Sequence, residues 1–166
     1  AQPRGIVTPG TVYAHCDGLW TDEPGRAMLL LTADCMPIAI ARKEGQRPGV
    51  EILHAGWRGL LAGIVAAGVR TLGPRSLAAV IGPSIGPCCY EVGDEVATPF
   101  REAFGEDVVR DSKLDLWTAA ERALRAAGVD DVARLDICTS CRPADFFSHR
   151  RDHGKTGRQG VIAYVA

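Results

Sequence analysis

The chain lacks an excess of either charge. Its 19 Lys+Arg against 20 Asp+Glu leave a formal net charge of −1. No global basic field is present to draw in nucleic acid or an anionic membrane surface. It also lacks a long apolar run. The most apolar stretch, Ala27 to Ala41, is interrupted by Asp34 and Pro37, so it cannot span a bilayer. Its opening residues, Ala-Gln-Pro-Arg-Gly, are not followed by the apolar region of a signal peptide, and the expected location is the cytoplasm. There is no internal repeat, low-complexity tract or long linker. With 46% hydrophobic and 23% charged residues in 166, the expectation is one globular domain over 1–166. Six cysteines (16, 35, 88, 89, 138 and 141) fit either a disulfide framework or thiols in a reducing compartment. A chain of this size needs no staples, so reduced thiols are expected.

Hydrophobic patterning predicts short elements. Ala27 to Thr32, Pro37 to Ala41, Gly49 to His54 and Leu77 to Ile81 read as strands, as do Val132 to Ile137 and Gly160 to Val165. From Arg58 to Leu72 the apolar residues Leu61, Ile64, Val65, Val69 and Leu72 recur with helical period. Asp94 to Phe104 reads as a helix despite Pro99, and Leu114 to Ala127 as another, closed by Gly128. Strands and helices mix without strict alternation. The fold class predicted is α+β, with mixed β-sheets packed with helices.

Cys35 follows the first apolar strand in Thr-Ala-Asp-Cys-Met-Pro, and His54 ends the third in His-Ala-Gly-Trp-Arg-Gly. Both sit where strands meet loops, a common place for catalytic groups. If those strands are neighbours, thiol and imidazole converge. The pair suits a nucleophile with its base, or two ligands of zinc or copper. Cys88-Cys89 reads as one packed and one incidental thiol, because adjacent side chains point apart. Cys138-Thr139-Ser140-Cys141 is a lone C-x-x-C, half of a zinc ribbon, and is read as structural or incidental thiols. Behind Phe146 and Phe147 comes a basic cluster in which Arg150 and Arg151, with Arg58 upstream, are candidates for binding phosphate.

Four motifs occur in one order: Thr-Ala-Asp-Cys-Met-Pro, His-Ala-Gly-Trp-Arg-Gly, Ile-Gly-Pro-Ser-Ile-Gly-Pro-Cys-Cys-Tyr-Glu-Val and Phe-Phe-Ser-His-Arg-Arg-Asp-x-x-Lys-Thr-Gly-Arg. From about Asp17 onward the chain resembles the YfiH family, also called laccase-domain or multicopper polyphenol oxidoreductase-like proteins. The resemblance implies a fold related to the cytotoxic necrotizing factor catalytic domain. It implies a metal, zinc with copper as the alternative, held by one Cys and two His. Cys35 and His54 match two of these ligands. The third lies in a Gln-x-His-Gly motif, where this chain has Gln2-Pro3-Arg4-Gly5. Arginine cannot ligate zinc. A shortened N-terminus, substitution by His15, or Arg4 acting as a fixed positive charge each account for the difference.

The activity implied is purine nucleoside processing: phosphorolysis of adenosine, inosine and methylthioadenosine, and deamination of adenosine. The implied partners are a nucleoside and phosphate, with neither nucleic acid nor membrane. Polyphenol oxidation, metal-free Cys–His hydrolysis of peptidoglycan precursors and a degenerate non-catalytic domain are the alternatives. Four histidines in the whole chain argue against a multicopper centre, which needs many imidazole ligands.

Overall fold

The computed structural model describes residues 6–7, 16–43, 47–73 and 76–166. In chain order its strands are β1 (Ile6–Val7), β2 (Gly18–Thr21), β3 (Met28–Thr32), β4 (Met36–Arg42), β5 (Val50–Ala55), β6 (Leu77–Ile81), β7 (Val109–Arg110), β8 (Lys113–Leu114), β9 (Asp131–Arg134) and β10 (Gln159–Ala163). The main sheet runs β1-β2-β5-β4-β6-β9. Its β1·β2 and β6·β9 pairs are parallel and the others antiparallel. This is the mixed α+β architecture expected.

Strand β4 lies in the middle because its apolar residues are covered on both sides. Met36, Ile38 and Ile40 are fully buried, as are Ile52, Leu53 and Ala55 of β5. A continuous apolar run suits a strand covered on both faces. One face of the sheet packs on the helices, with Phe100, Leu116 and Leu124 in the same core. The other packs on the antiparallel β3–β10 pair through Met28, Leu30 and Ile52. Strand β3 alternates accordingly: Met28, Leu30 and Thr32 point inward, Leu29 and Leu31 outward.

The helix expected over Arg58–Leu72 is two helices, α1 (Trp57–Leu61) and α2 (Ile64–Leu72). Gly63 separates them at φ +80, a left-handed conformation that glycine enters without steric cost. The apolar periodicity hides this break, since Leu60, Ile64, Val65 and Leu72 all reach the same core. Helix α3 (Asp94–Phe104) contains Pro99, and α4 (Leu116–Ala126) starts at Asp115. The Asp115 carboxylate accepts from the Thr118 N–H at 3.0 Å, an N-cap bond that satisfies an otherwise free donor. Gly128 follows at φ +91. Strand β9 stops at Arg134, short of the predicted Ile137, as Asp136 turns out of extended geometry at φ +51. No helix among the described residues is long and apolar enough to cross a membrane.

Candidate active site and a cysteine cluster

Antiparallel pairing of β4 and β5 sets Pro37 opposite His54. Cys35 directly precedes β4 and His54 is the penultimate residue of β5, so thiol and imidazole meet at one end of the sheet. Asp34 makes the turn that delivers the thiol. It takes φ +80, a left-handed position that Asp tolerates better than most side chains. Its buried carboxylate fixes the turn by accepting from Thr139 Oγ1 at 2.6 Å, Ser148 Oγ at 2.9 Å and the Arg150 N–H at 2.7 Å. Across from it, a Cβ on Gly56 would stand 3.1 Å from the Cys35 Sγ, so a hydrogen is what fits there.

His54 Nδ1 lies 3.0 Å from the Asp17 carboxylate. That contact orients the ring and leaves Nε2 for Cys35. The His54 imidazole is pushed up to about 9, chiefly by its hydrogen bond to Cys35; burial opposes the shift, and the Cys35 and Asp17 charges add to it. A carboxylate behind an imidazole is also the usual support of a metal-bound histidine. Among the described residues no third histidine, cysteine or carboxylate completes a three-donor group with this pair. Arg4 and His15 lie outside the described residues.

The pair opens on a cleft of about 530 Å³, a size typical of small-molecule sites. Trp57, Arg58, Tyr90 and Arg150 form much of its wall. The Arg58 guanidinium lies 4.0 Å from the Trp57 ring centroid, and Arg150 lies 5.2 Å from that of Tyr90. Arg150 also donates to the Glu91 carbonyl at 2.7 Å. Burial raises the Tyr90 hydroxyl to about 12. Arg151, expected to bind substrate, does not line the cleft. It forks onto Asp152 at 2.8 and 2.9 Å and donates to the Thr139 and Phe146 carbonyls, so its donors bind its own loop. Arg151 and Thr156 hold the Asp152 carboxyl down at about 2.

The structure corrects the reading of the other cysteines. Cys88, Cys89, Cys138 and Cys141 come together, and their sulfurs all lie within 4.8 Å of one another, a group able to hold a metal ion. Adjacent side chains point apart in a strand, but Cys88 and Cys89 sit in a turn. There the Cys89 and Tyr90 N–H groups both donate to the Gly86 carbonyl, and the curled backbone presents both thiols to one side.

Residues 4–166 match the family model described as "Multi-copper polyphenol oxidoreductase laccase". Over 181 aligned residues the chain is 38% identical to the Geobacillus stearothermophilus protein named purine nucleoside phosphorylase YlmD, covering 99% of this chain and 63% of that one. The chain belongs to this family, the YfiH family. It is 35% identical to Escherichia coli purine nucleoside phosphorylase YfiH, covering 94% of this chain and 67% of that protein. A solved structure, the hypothetical protein YfiH of Bacillus licheniformis, superposes with a TM-score of 0.83 at 35% identity, over 91% of this chain and 62% of that one. The chain thus spans less than two thirds of the YlmD relative's length.

Polar residues of this YfiH-family site that were not among the candidates include Asp17, which sits behind His54, and Asp34, His149 and Arg158, which line the cleft. Asp17 lies far from His54 in sequence and carries no local signal. Asp34 stands beside Cys35 but reads in the sequence only as a charge that interrupts an apolar stretch. Arg158, at the end of the basic cluster, lines the cleft where Arg151 does not. Asp34→Ala leaves two hydroxyls and one N–H without their acceptor, and is expected to lower stability by about 3 kcal/mol. Urea melts of the two proteins measure this. A loss under about 1 kcal/mol contradicts the anchoring role.

Proposed function

We propose that this chain is a YfiH-type laccase domain that phosphorolyses purine nucleosides (adenosine, inosine and methylthioadenosine) in the Cys35–His54 cleft. Adenosine deamination there is the second reaction proposed. One observation carries the reading: a thiol–imidazole pair and two arginine–aromatic stacks face a single cleft of nucleoside size. The activity named for its relatives supports it.

In phosphorolysis a phosphate oxygen attacks C1′ of the ribose. The glycosidic bond breaks, and its electron pair leaves with the purine, which takes up a proton. Arg58 and Arg150 are assigned to the phosphate, whose charge and geometry match guanidinium donors. Trp57 and Tyr90 back these arginines and offer flat surface to the base. Asp17 holds the His54 ring so that Nε2 faces Cys35. Thiolate and imidazole suit zinc, with copper as the alternative, and Cys35 and His54 would be its ligands. When bound, the ion supplies a Lewis acid that lowers a water's pKa towards ~7, the chemistry deamination needs. A cytoplasmic setting would keep the thiols reduced.

Release of hypoxanthine from inosine at varied phosphate concentration tests the reading. Turnover is expected to depend on phosphate. Arg58→Ala is expected to raise the KM for phosphate by about tenfold or more while changing the KM for inosine little. Phosphate-independent turnover, or an unchanged phosphate KM, contradicts the assignment.

The placing of Cys35 and His54 together in one cleft also favours a second reading, a metal-free thiol hydrolase. That reading predicts stoichiometric alkylation of Cys35 with hydrolysis persisting in chelator. Loss of all activity in chelator contradicts it.

A further inference from the structure

The four-cysteine cluster lies outside the cleft and plays no part in the chemistry above. Its sulfurs come from two loops, 86–90 and 138–141, which the fold brings side by side. The Ser84 N–H donates to the Ile137 carbonyl at 3.1 Å and the Thr139 N–H to the Ser84 carbonyl at 3.0 Å. From this frame Cys138 points inward and is buried, while Cys88 and Cys141 lie at the surface.

We propose that Cys88, Cys89, Cys138 and Cys141 form a tetrathiolate site for a structural zinc ion that fastens the two loops behind the cleft wall.

The spacing fits. Four thiolates arranged tetrahedrally around zinc at about 2.3 Å have their sulfurs about 3.8 Å apart. Here all four lie within 4.8 Å of one another, and Cys141 stands 3.4 Å from both Cys88 and Cys89. Those separations are well beyond a disulfide bond of about 2.05 Å. Four protein ligands fill the coordination shell and leave no open position, which marks a structural rather than a catalytic ion.

A backbone donor already faces one of the sulfurs. The Gly86 N–H donates to the Cys138 Sγ at 3.3 Å. Binding Zn²⁺ releases the four thiol protons and leaves a centre with a formal charge of −2. Cations already stand around it. The Lys113 ammonium donates to the Cys88 carbonyl at 3.0 Å, and the Arg151 guanidinium to the Thr139 carbonyl at 3.1 Å. Arg151 thereby gains a reason to face away from the cleft.

The same loops carry cleft residues. Tyr90 follows Cys89 directly, and Thr139 donates to the Asp34 carboxylate beside Cys35. An ion here would therefore hold the wall against which Arg150 lies.

The test is metal content of the full chain, reduced and reconstituted with zinc chloride. One zinc per chain is expected to persist in Cys35→Ser and His54→Ala, and to be lost in Cys88→Ser and in Cys141→Ser. The last two positions are exposed, so their substitution disturbs packing least. Cobalt chloride added to the wild type gives a readout that needs no variant. A four-sulfur site predicts strong sulfur-to-metal charge-transfer absorption in the near ultraviolet with d–d bands in the red. Chelation is expected to lower the melting temperature by about 10 °C. The proposal is overturned if metal content is the same in Cys88→Ser and Cys141→Ser as in the wild type. It is equally overturned if rapid alkylation and mass spectrometry find Cys141 in a disulfide with Cys88 or Cys89 in the cell.

Discussion

His54→Ala is expected to lower kcat/KM for inosine phosphorolysis by roughly a thousandfold, within the span usual for losing an acid–base or metal-binding group. The imidazole is the hinge of the site. Asp17 holds its Nδ1, and Cys35 meets it from the turn that leads into the neighbouring β4. Cys35→Ser is expected to cost a similar factor, since a hydroxyl is a poorer zinc ligand and a far weaker nucleophile. The two residues act as a unit, so the double variant should lose little more than the worse single one. Asp17→Asn keeps the ring in place but weakens its support, and a loss of about tenfold or more is expected. Steady-state kinetics on the four proteins, with circular dichroism to verify folding, decide the matter. Losses that multiply in the double variant contradict a shared role.

Glu51 carries the second large effect, and it concerns stability. It lies in β5, pairs with Trp20 and Ile40, and is fully buried. Among the described residues neither of its carboxyl oxygens has a hydrogen-bond partner. Burial pushes its carboxyl up to about 8, against 4.5 for an ordinary Glu. Between those two values the folded chain keeps a proton that the unfolded chain has released. Stability is therefore highest below about pH 4.5 as far as this group is concerned. It falls as pH rises towards 8, by up to about 1.4 kcal/mol per unit. Glu51→Met replaces the carboxyl with an apolar group of similar size. It is expected to raise stability at pH 8 by about 3 to 4 kcal/mol, change it little at pH 5 and flatten the slope between. Melts across this range measure both proteins, and parallel curves contradict the account.

Strands β3 to β6, β9 and β10 were legible because their apolar runs are short and bounded by turn residues, whereas β1, β2, β7 and β8, of two to four residues, are too short to show a pattern. The α1–α2 break was hidden because both helices bury one continuous apolar stripe, so period alone cannot see Gly63. Cys35 and His54 were legible as strand-end residues within motifs that recur in order. Asp17 was not, since its role depends on β2 pairing with β5, a contact between distant segments. Arg151 and Arg58 look alike in sequence, and only the packing of residues 138–152 shows that one serves carbonyls and the other faces the cleft. The cysteine cluster was missed for a similar reason. A lone C-x-x-C and an adjacent Cys pair become one group only when two loops far apart in sequence meet.

In the proposed reaction this cleft joins phosphate to the ribose of a purine nucleoside. Phosphorus NMR of inosine and inorganic phosphate incubated with the zinc-supplied chain tests it most directly. A ribose 1-phosphate resonance is expected to grow in step with free hypoxanthine, and none is expected with His54→Ala. Hypoxanthine released with free ribose and no new phosphorus signal, or no turnover at all, would contradict it.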